Sequence, residues 1–483
     1  MPRHSLIAIC LAAVLAAPVA LAQSVEVKQY DDGGVYEGTF RNGVQHGTGT
    51  YRLPNGYEYT GEWVDGEILG EGTARFPNGS VYVGVFAKGK PEGQGTITFA
   101  DGGTYDGTWV DGKIMGEGIA LYANGTRYEG GFRAAMHHGQ GTMRTPEGYV
   151  YTGDWVNGVK EGTGRITYPD GALYEGDMLR GVRDGQGRLT MPDGLIYEGL
   201  WENGQINGQG TLTQPNGDVY EGDLVAGRRE GQGTVRYSNG DTYQGAFRAD
   251  LRHGQGTFTG TDGYTYVGSW VDGQVSGVGE VTYPDGSIYT GEFVADQPDG
   301  MGKITYPDGS TYEGAWSAGV IEGDGIATYA NGVIYQGQFK DAQNHGRGVM
   351  TYADGYRYDG DWVDGQRQGQ GTATYSDGTV YTGQFENGQR HGQGEIVMSD
   401  GFRYVGAWLN GEIDGQGVAT YANGDVYTGT FRAGRRQGEG TMAYANGTQA
   451  TGTWEDGALS DAREVIEGDG AAPATEGETT SDG

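Results

Sequence analysis

Cysteine is nearly absent: the only one, Cys10, lies in the first 22 residues. Without that leader the chain has no means of forming disulfides, Cys-ligated zinc or thiol chemistry. Basic residues are scarce, 32 Lys and Arg against 64 Asp and Glu, for a net charge of −32. That balance excludes nucleic acid as a partner, since phosphate binding needs clustered cations. It also argues against purely electrostatic docking on anionic lipid and favours solubility. Long hydrophobic runs are missing except from Leu6 to Leu21. With Arg3 before that run and Ala20-x-Ala22 before Gln23, residues 1–22 read as a secretory signal peptide. The expectation is an exported protein, periplasmic or extracellular.

What the chain has in abundance is glycine, 97 residues against an average usage of about 7%. The glycines are placed by a repeat. Tyr36, Tyr59, Tyr82 and Tyr105 stand 23 residues apart, and the series runs through Tyr312 to Tyr427 without insertion or deletion. A nineteenth copy has Ala450 in the Tyr slot. Gly follows the slot at the second position. Trp or Phe follows at the fourth, except for Met178 and Leu224. Self-similarity at such a period marks an array in which each unit packs on its neighbours.

Inside one unit the alternation has period two, which predicts strands and not helices. Tyr312, Gly314 and Trp316 share one face, as do Gly323, Gly325, Ala327 and Tyr329; Glu313 and Ala315 point the other way. Between units stands Pro/Ala-Asp/Asn-Gly, as at Pro169-Asp170-Gly171, with Gly in all nineteen copies. Gly there takes the positive φ that a turn requires. Within a unit a longer connection is expected, as in Asn42-Gly43-Val44-Gln45-His46-Gly47. Short links join antiparallel neighbours. The predicted fold is therefore all-β, a single-layer antiparallel meander of about 38 strands, roughly 180 Å along its axis at about 4.8 Å per strand. Gly323 and Gly325, beside Gly314, are expected to leave room for Tyr and Trp rings, which bury roughly 150–250 Å² each.

The array occupies residues 23–457 and opens on a half unit, Val25 to Tyr30. Residues 458–483 lose the period and read as an acidic, disordered tail. Nine Trp residues form a second order: Trp63, Trp109, Trp155 and Trp201 are 46 apart, and Trp270, Trp316, Trp362, Trp408 and Trp454 resume that spacing one unit out of phase. These nine are the candidate interaction or structural aromatics. Descent from a duplicated pair of units accounts for the spacing equally well. The phase break at Leu224 marks a candidate bend or weak point.

Candidate chemistry is sparse. His46, His138, His253, His345 and His391 share the slot before the first paired Gly, with His137 adjacent to one of them. With successive copies separated by 46 to 115 residues, they suit a turn role better than a shared metal site. Acidic pairs such as Asp359 and Asp361 recur without a unique constellation, so a solvated face is expected. No Gly-x-Gly pair opens a helix after a strand, and no Gly-x-Ser-x-Gly elbow occurs. Neither catalytic residues, cofactor nor metal is assigned.

At Tyr36-Glu37-Gly38-Thr39-Phe40-Arg41-Asn42-Gly43 with His46-Gly47-Thr48-Gly49, and again at Tyr381–Gly394, the chain resembles the MORN-repeat family. The resemblance runs in register over about residues 25–457. It implies an elongated, twisted antiparallel sheet of about nineteen hairpins. It further implies a non-catalytic module, since MORN arrays occur in junctional membrane proteins, beside lipid-kinase domains and in cytoskeletal scaffolds. The expected function is a non-enzymatic scaffold or binding protein of the cell envelope. A protein partner, including another copy of itself, ranks first. A membrane-associated lipid-binding role comes second, and envelope glycan binding through exposed aromatics third.

Overall fold

The computed structural model describes residues 24–468. Residues 1–22, read above as a signal peptide, and those beyond residue 468 lie outside the described residues. Among those described there are thirty-nine strands and no helix. Within each of the two units strands pair antiparallel with their sequence neighbours, as Gln297–Thr305, Thr311–Ser317 and Val320–Thr328 do.

Two units divide the chain. One runs to Gly217 and takes in Asp223–Gly227; the other holds Asp218–Gly222 and everything from Arg228. The changeover falls inside the strand Val219–Val225, which carries Leu224, the site of the Trp phase break. Within the first unit the meander starts on Glu26–Gln29, a short exposed strand paired with Val35–Arg41. The expected half unit is thus a strand.

Each repeat is a seven-residue strand and a nine-residue strand, for example Thr311–Ser317 and Val320–Thr328. Their register sets Tyr312 against Ala327, Gly314 against Gly325 and Trp316 against Ile321, with a bulge at Ala315. A bulge adds one residue and sharpens the local twist. Here it also turns a carbonyl toward the core: Ala315 O accepts a 2.9 Å bond from the Tyr312 hydroxyl. The bond recurs, as from Tyr59 to Glu62 and from Tyr404 to Ala407. The Tyr ring then lies flat over backbone. A Cβ on Gly325 would sit 2.5 Å from the Tyr312 ring, and one on Gly314 2.5 Å from its hydroxyl. Two facing glycines are the floor for one tyrosine.

Gly323 corrects the expectation. No ring fills its place; the residue has φ +93° and its added Cβ would face Ala315. It is glycine because the backbone there is left-handed. The connection within a unit is also shorter than expected. Only two residues, such as Asn42 and Gly43 at φ 52° and 83°, separate Val35–Arg41 from Val44–Arg52. Positive φ at both central residues is the tight hairpin turn that Asn-Gly and Asp-Gly favour. Between units the loop is the longer one. At Tyr306–Ser310, Gly309 N donates to Tyr306 O, Tyr306 N donates to Ser310 O, and the Asp308 carboxylate caps Ser310 N.

The acidic tail begins later than residue 458. Ala458–Ile466 form a strand on Gln449–Glu455, matching Trp454 to Leu459 across two register shifts. Its backbone extends the sheet although Asp461 and Arg463 break the Gly-x-Gly pattern, because pairing with an open edge needs backbone groups and not the repeat sequence.

Candidate binding face

The two faces of the repeat have separate chemistries. On the aromatic face the Tyr slots are sealed, and burial pushes the phenols of Tyr36, Tyr82, Tyr105, Tyr312 and Tyr404 up to about 12. They remain protonated donors.

All nine tryptophans, Trp63, Trp109, Trp155, Trp201, Trp270, Trp316, Trp362, Trp408 and Trp454, are buried, the most exposed being Trp316 at 9%. Each indole N–H reaches back to the second Gly carbonyl of the preceding unit, from Trp109 to Gly95 at 3.0 Å, Trp316 to Gly302 at 3.3 Å and Trp408 to Gly394 at 3.2 Å. Rings of adjacent units meet edge to face, as Tyr381 and Trp408 do at 5.1 Å. The tryptophans therefore staple one unit to the next and are not open for a ligand. Among the described residues the rings left exposed include Phe99, Tyr122, Tyr306, Tyr329 and Tyr444, at the start of the between-unit turns.

A single sheet has no second layer to close over these rings, and one slot does that work. It lies nine residues after the Tyr and faces Trp or Phe across the hairpin, as Arg390 faces Phe385. Its occupants are Gln45, Ile68, Pro91, Ile114, His137, Lys160, Arg183, Ile206, Arg229, Arg252, Val275, Pro298, Ile321, Asn344, Arg367, Arg390, Ile413, Arg436 and Leu459. Seven are cations and none is acidic, in a chain with twice as many acids as bases. The guanidinium carbons of Arg183, Arg252, Arg390 and Arg436 stand 4.0, 4.1, 4.4 and 4.5 Å from the ring centres of the following tryptophans. An Arg stem covers apolar surface and its plane stacks on the ring. Arg183 and Arg390 also donate to the loop carbonyls of Gly204 and Gly411 at 2.9 and 2.8 Å. Sequence reading passed over this slot; its lack of acids in nineteen copies was the available signal.

His137 belongs to this same slot. Its ring stacks on Tyr128 at 3.7 Å and meets Tyr122 Oη at 2.7 Å through Nε2. Burial lowers it to about 4, so it is neutral near pH 7. Two of the other histidines serve loops: His46 and His253 accept the amides of Asp65 and Asp272 on Nδ1 at 3.3 and 3.4 Å. Glu92, Asn207 and Asp414 do the same in their copies. For His46 and His253 the geometry displays the turn role expected of them. Among the described residues no group of three or more His, Cys, Asp or Glu gathers as a metal set.

The opposite face is polar. Arg347 lies 3.4 Å from Asp361 and 3.9 Å from Asp359, and Arg357 2.8 Å from Asp359. Asp361 also caps Gln370 N at 2.9 Å. These carboxylates are occupied by neighbouring cations and amides on a solvated surface.

Clefts open on the aromatic face. One of about 580 Å³ has Phe76, Pro91, Phe99, Trp109 and Ile114 in its walls. Another, about 800 Å³, lies among Met398, Phe402, Tyr421, Arg436, Tyr444 and Trp454.

Comparison with known proteins agrees with the repeat. The chain is 45% identical over 51 residues to Alsin of Rattus norvegicus and 41% identical to human Alsin; the match spans 10% of this chain and 3% of either relative. The Drosophila melanogaster SAS-4 TCP domain, solved with a proline-rich motif of Ana2, aligns at TM-score 0.20 and 14% identity, over 44% of this chain and 97% of that one. The Danio rerio CPAP TCP10 domain with a STIL peptide aligns at 0.17 and 15%, over 56% and 94%. At such scores these structures add nothing to the reading of the site. The model of the MORN repeat matches eighteen successive stretches, from 36–56 to 427–449. The chain belongs to the MORN-repeat family.

Proposed function

We propose that this chain is a non-enzymatic scaffold of the cell envelope, holding a protein partner along its aromatic face. MORN repeats are binding modules, and the observation supporting this use of them is the lid slot. It returns once per unit on the same face, so equivalent contacts recur about every 10 Å, two strand spacings. Repeated weak contacts along one surface raise avidity without any single deep pocket. Burial of all nine tryptophans removes them from a glycan-binding role, and a net charge of −32 disfavours anionic membranes. Residues 1–22, read as a secretory signal, support a location beyond the cytoplasmic membrane, in the periplasm or outside the cell.

The deciding experiment is an affinity pull-down from the exporting cell's envelope, with sedimentation equilibrium of the purified chain beside it. A partner retained stoichiometrically, or a mass above that of one chain, supports the scaffold. Co-sedimentation with phosphatidylglycerol vesicles without any protein partner would replace it with the lipid-binding role. Recovery of the chain from the cytoplasmic fraction would remove the assigned location.

A further inference from the structure

Cations on the two faces are mostly treated differently, Arg229 in the lid slot being the exception at 3.5 Å from Asp250. On the polar face Arg347, Arg357 and Arg403 lie against carboxylates. On the aromatic face Arg367, Arg390 and Arg436 are half-buried over rings and donate to loop carbonyls or a phenol. A guanidinium has five N–H donors, so each retains several beyond those bonds. Acids nearby are engaged elsewhere: Asp400 caps Phe402 N, Asp425 caps Ala445 N, and Asp414 caps Ala433 N. In a chain of this acidity, three cations held on one face and stacked on rings instead of carboxylates make an anion-receptive row.

Their spacing selects the ligand. Arg367 and Arg390 lie on Gln366–Thr374 and Gln389–Val397, with one strand between them. Arg436 lies on Arg435–Ala443, four strands beyond Arg390. At about 4.8 Å per strand the gaps are about 10 Å and about 19 Å. A polyproline-type helix rises about 3.1 Å per residue with three residues per turn. Every third side chain then points the same way at intervals of about 9 Å, matching one repeat. A β-strand of similar length puts residues i and i+3 on opposite sides, and three residues of α-helix span only about 4.5 Å. Beside the row, Phe402 and Tyr421 pair at 5.5 Å and Tyr356 and Tyr375 at 5.1 Å. An aromatic-lined groove of this kind suits a polyproline helix.

The geometry points to the stretch from Tyr356 to Leu459 as a docking site for an acidic protein segment in polyproline-type conformation, with carboxylates at i, i+3 and i+9 facing Arg367, Arg390 and Arg436. This rests on the reading of the array as a protein-binding scaffold and names the chemistry of the partner.

The test uses the whole chain and two fluorescein-labelled twelve-residue peptides of identical Pro, Ala and Glu content. One carries Glu at positions 2, 5 and 11, the other three adjacent Glu. Fluorescence anisotropy at low salt is expected to show at least tenfold tighter binding of the spaced peptide. That preference should vanish in Arg367→Met/Arg390→Met/Arg436→Met, whose unbranched side chains still cover the rings, and persist in Arg347→Met/Arg357→Met on the other face. Equal binding of the two peptides by the unaltered chain overturns the proposal without recourse to any variant. So does an undiminished preference in the triple variant. If the peptides fail but an envelope partner is still captured by the triple variant, the docking site falls and the scaffold reading stands.

Discussion

The aromatic and polar faces of the same strands follow opposite rules. On the aromatic face each slot has one job set by close contact: Tyr312 over Gly314 and Gly325, Trp316 bonded back to Gly302, Ile321 as lid. On the polar face the facing residues Glu313 and Lys303 stand in solvent, 66% and 52% exposed, 3.4 Å apart. The difference teaches that a sheet without a second layer builds its core from its own rings and backbone. Glycine there is a floor as well as a turn former. The lid slot shows the same economy of parts, since Ile, Pro and Arg all serve provided they cover a ring.

The strongest way to break the comparison is alkali, which ionises the sealed phenols of the aromatic face while removing only exposed Lys charges from the polar one. Tyr phenols held at about 12 when folded ionise near 10 once unfolded. Stability from this burial is complete below pH 10 and is lost as pH rises through 12. Circular dichroism across that window should register loss of the whole β signal, with one transition repeated along the chain. A sheet that survives to pH 12.5 would contradict sealed phenols.

Removing one staple comes next. Trp408→Ala is expected to cost about 3–5 kcal/mol, concentrated where Trp408 meets Gly394. Hydrogen exchange should find amides released in Gln389–Val397 and Arg403–Leu409 while distant repeats stay protected, because contacts run only to neighbouring units. Gly325→Ala should cost about 1–3 kcal/mol by forcing the Tyr312 ring off its floor, read as a lowered urea midpoint.

Tyr312→Phe keeps the ring and deletes the bond to the bulge carbonyl of Ala315. A loss of about 1 kcal/mol is expected, together with faster exchange around the bulge. Smallest is Lys303→Met. Its partner pairing is solvent-exposed, so a change below about 1 kcal/mol is expected, and a larger one would mean that the polar face is structured in the way the aromatic face is.

Much of this was legible beforehand. Tyr312, Gly314 and Trp316 on one face follow from period-two alternation, and the Pro-Asp-Gly turns from their residues. The loop role of His46 and His253 agrees with what their distance apart along the chain suggested. Three readings needed correction for one reason. Gly323 in a left-handed conformation, the two-residue turn at Asn42-Gly43 and the strand at Ala458–Ile466 all depend on backbone angles or edge pairing, which alternation does not encode. The lid slot escaped because Ile, Pro, Lys and Arg look unrelated until all are seen covering rings.

By itself the sequence determined the repeat, the strand count to within one, the turns between units and the side of the sheet each residue occupies. Those features are local, set by side-chain parity and turn chemistry. Tertiary structure alone decided which glycines lie beneath which tyrosine, that every tryptophan bonds to the unit before it, and that Arg367, Arg390 and Arg436 come to share one row. Each of these brings together residues on different strands, and only the register of neighbouring strands sets that.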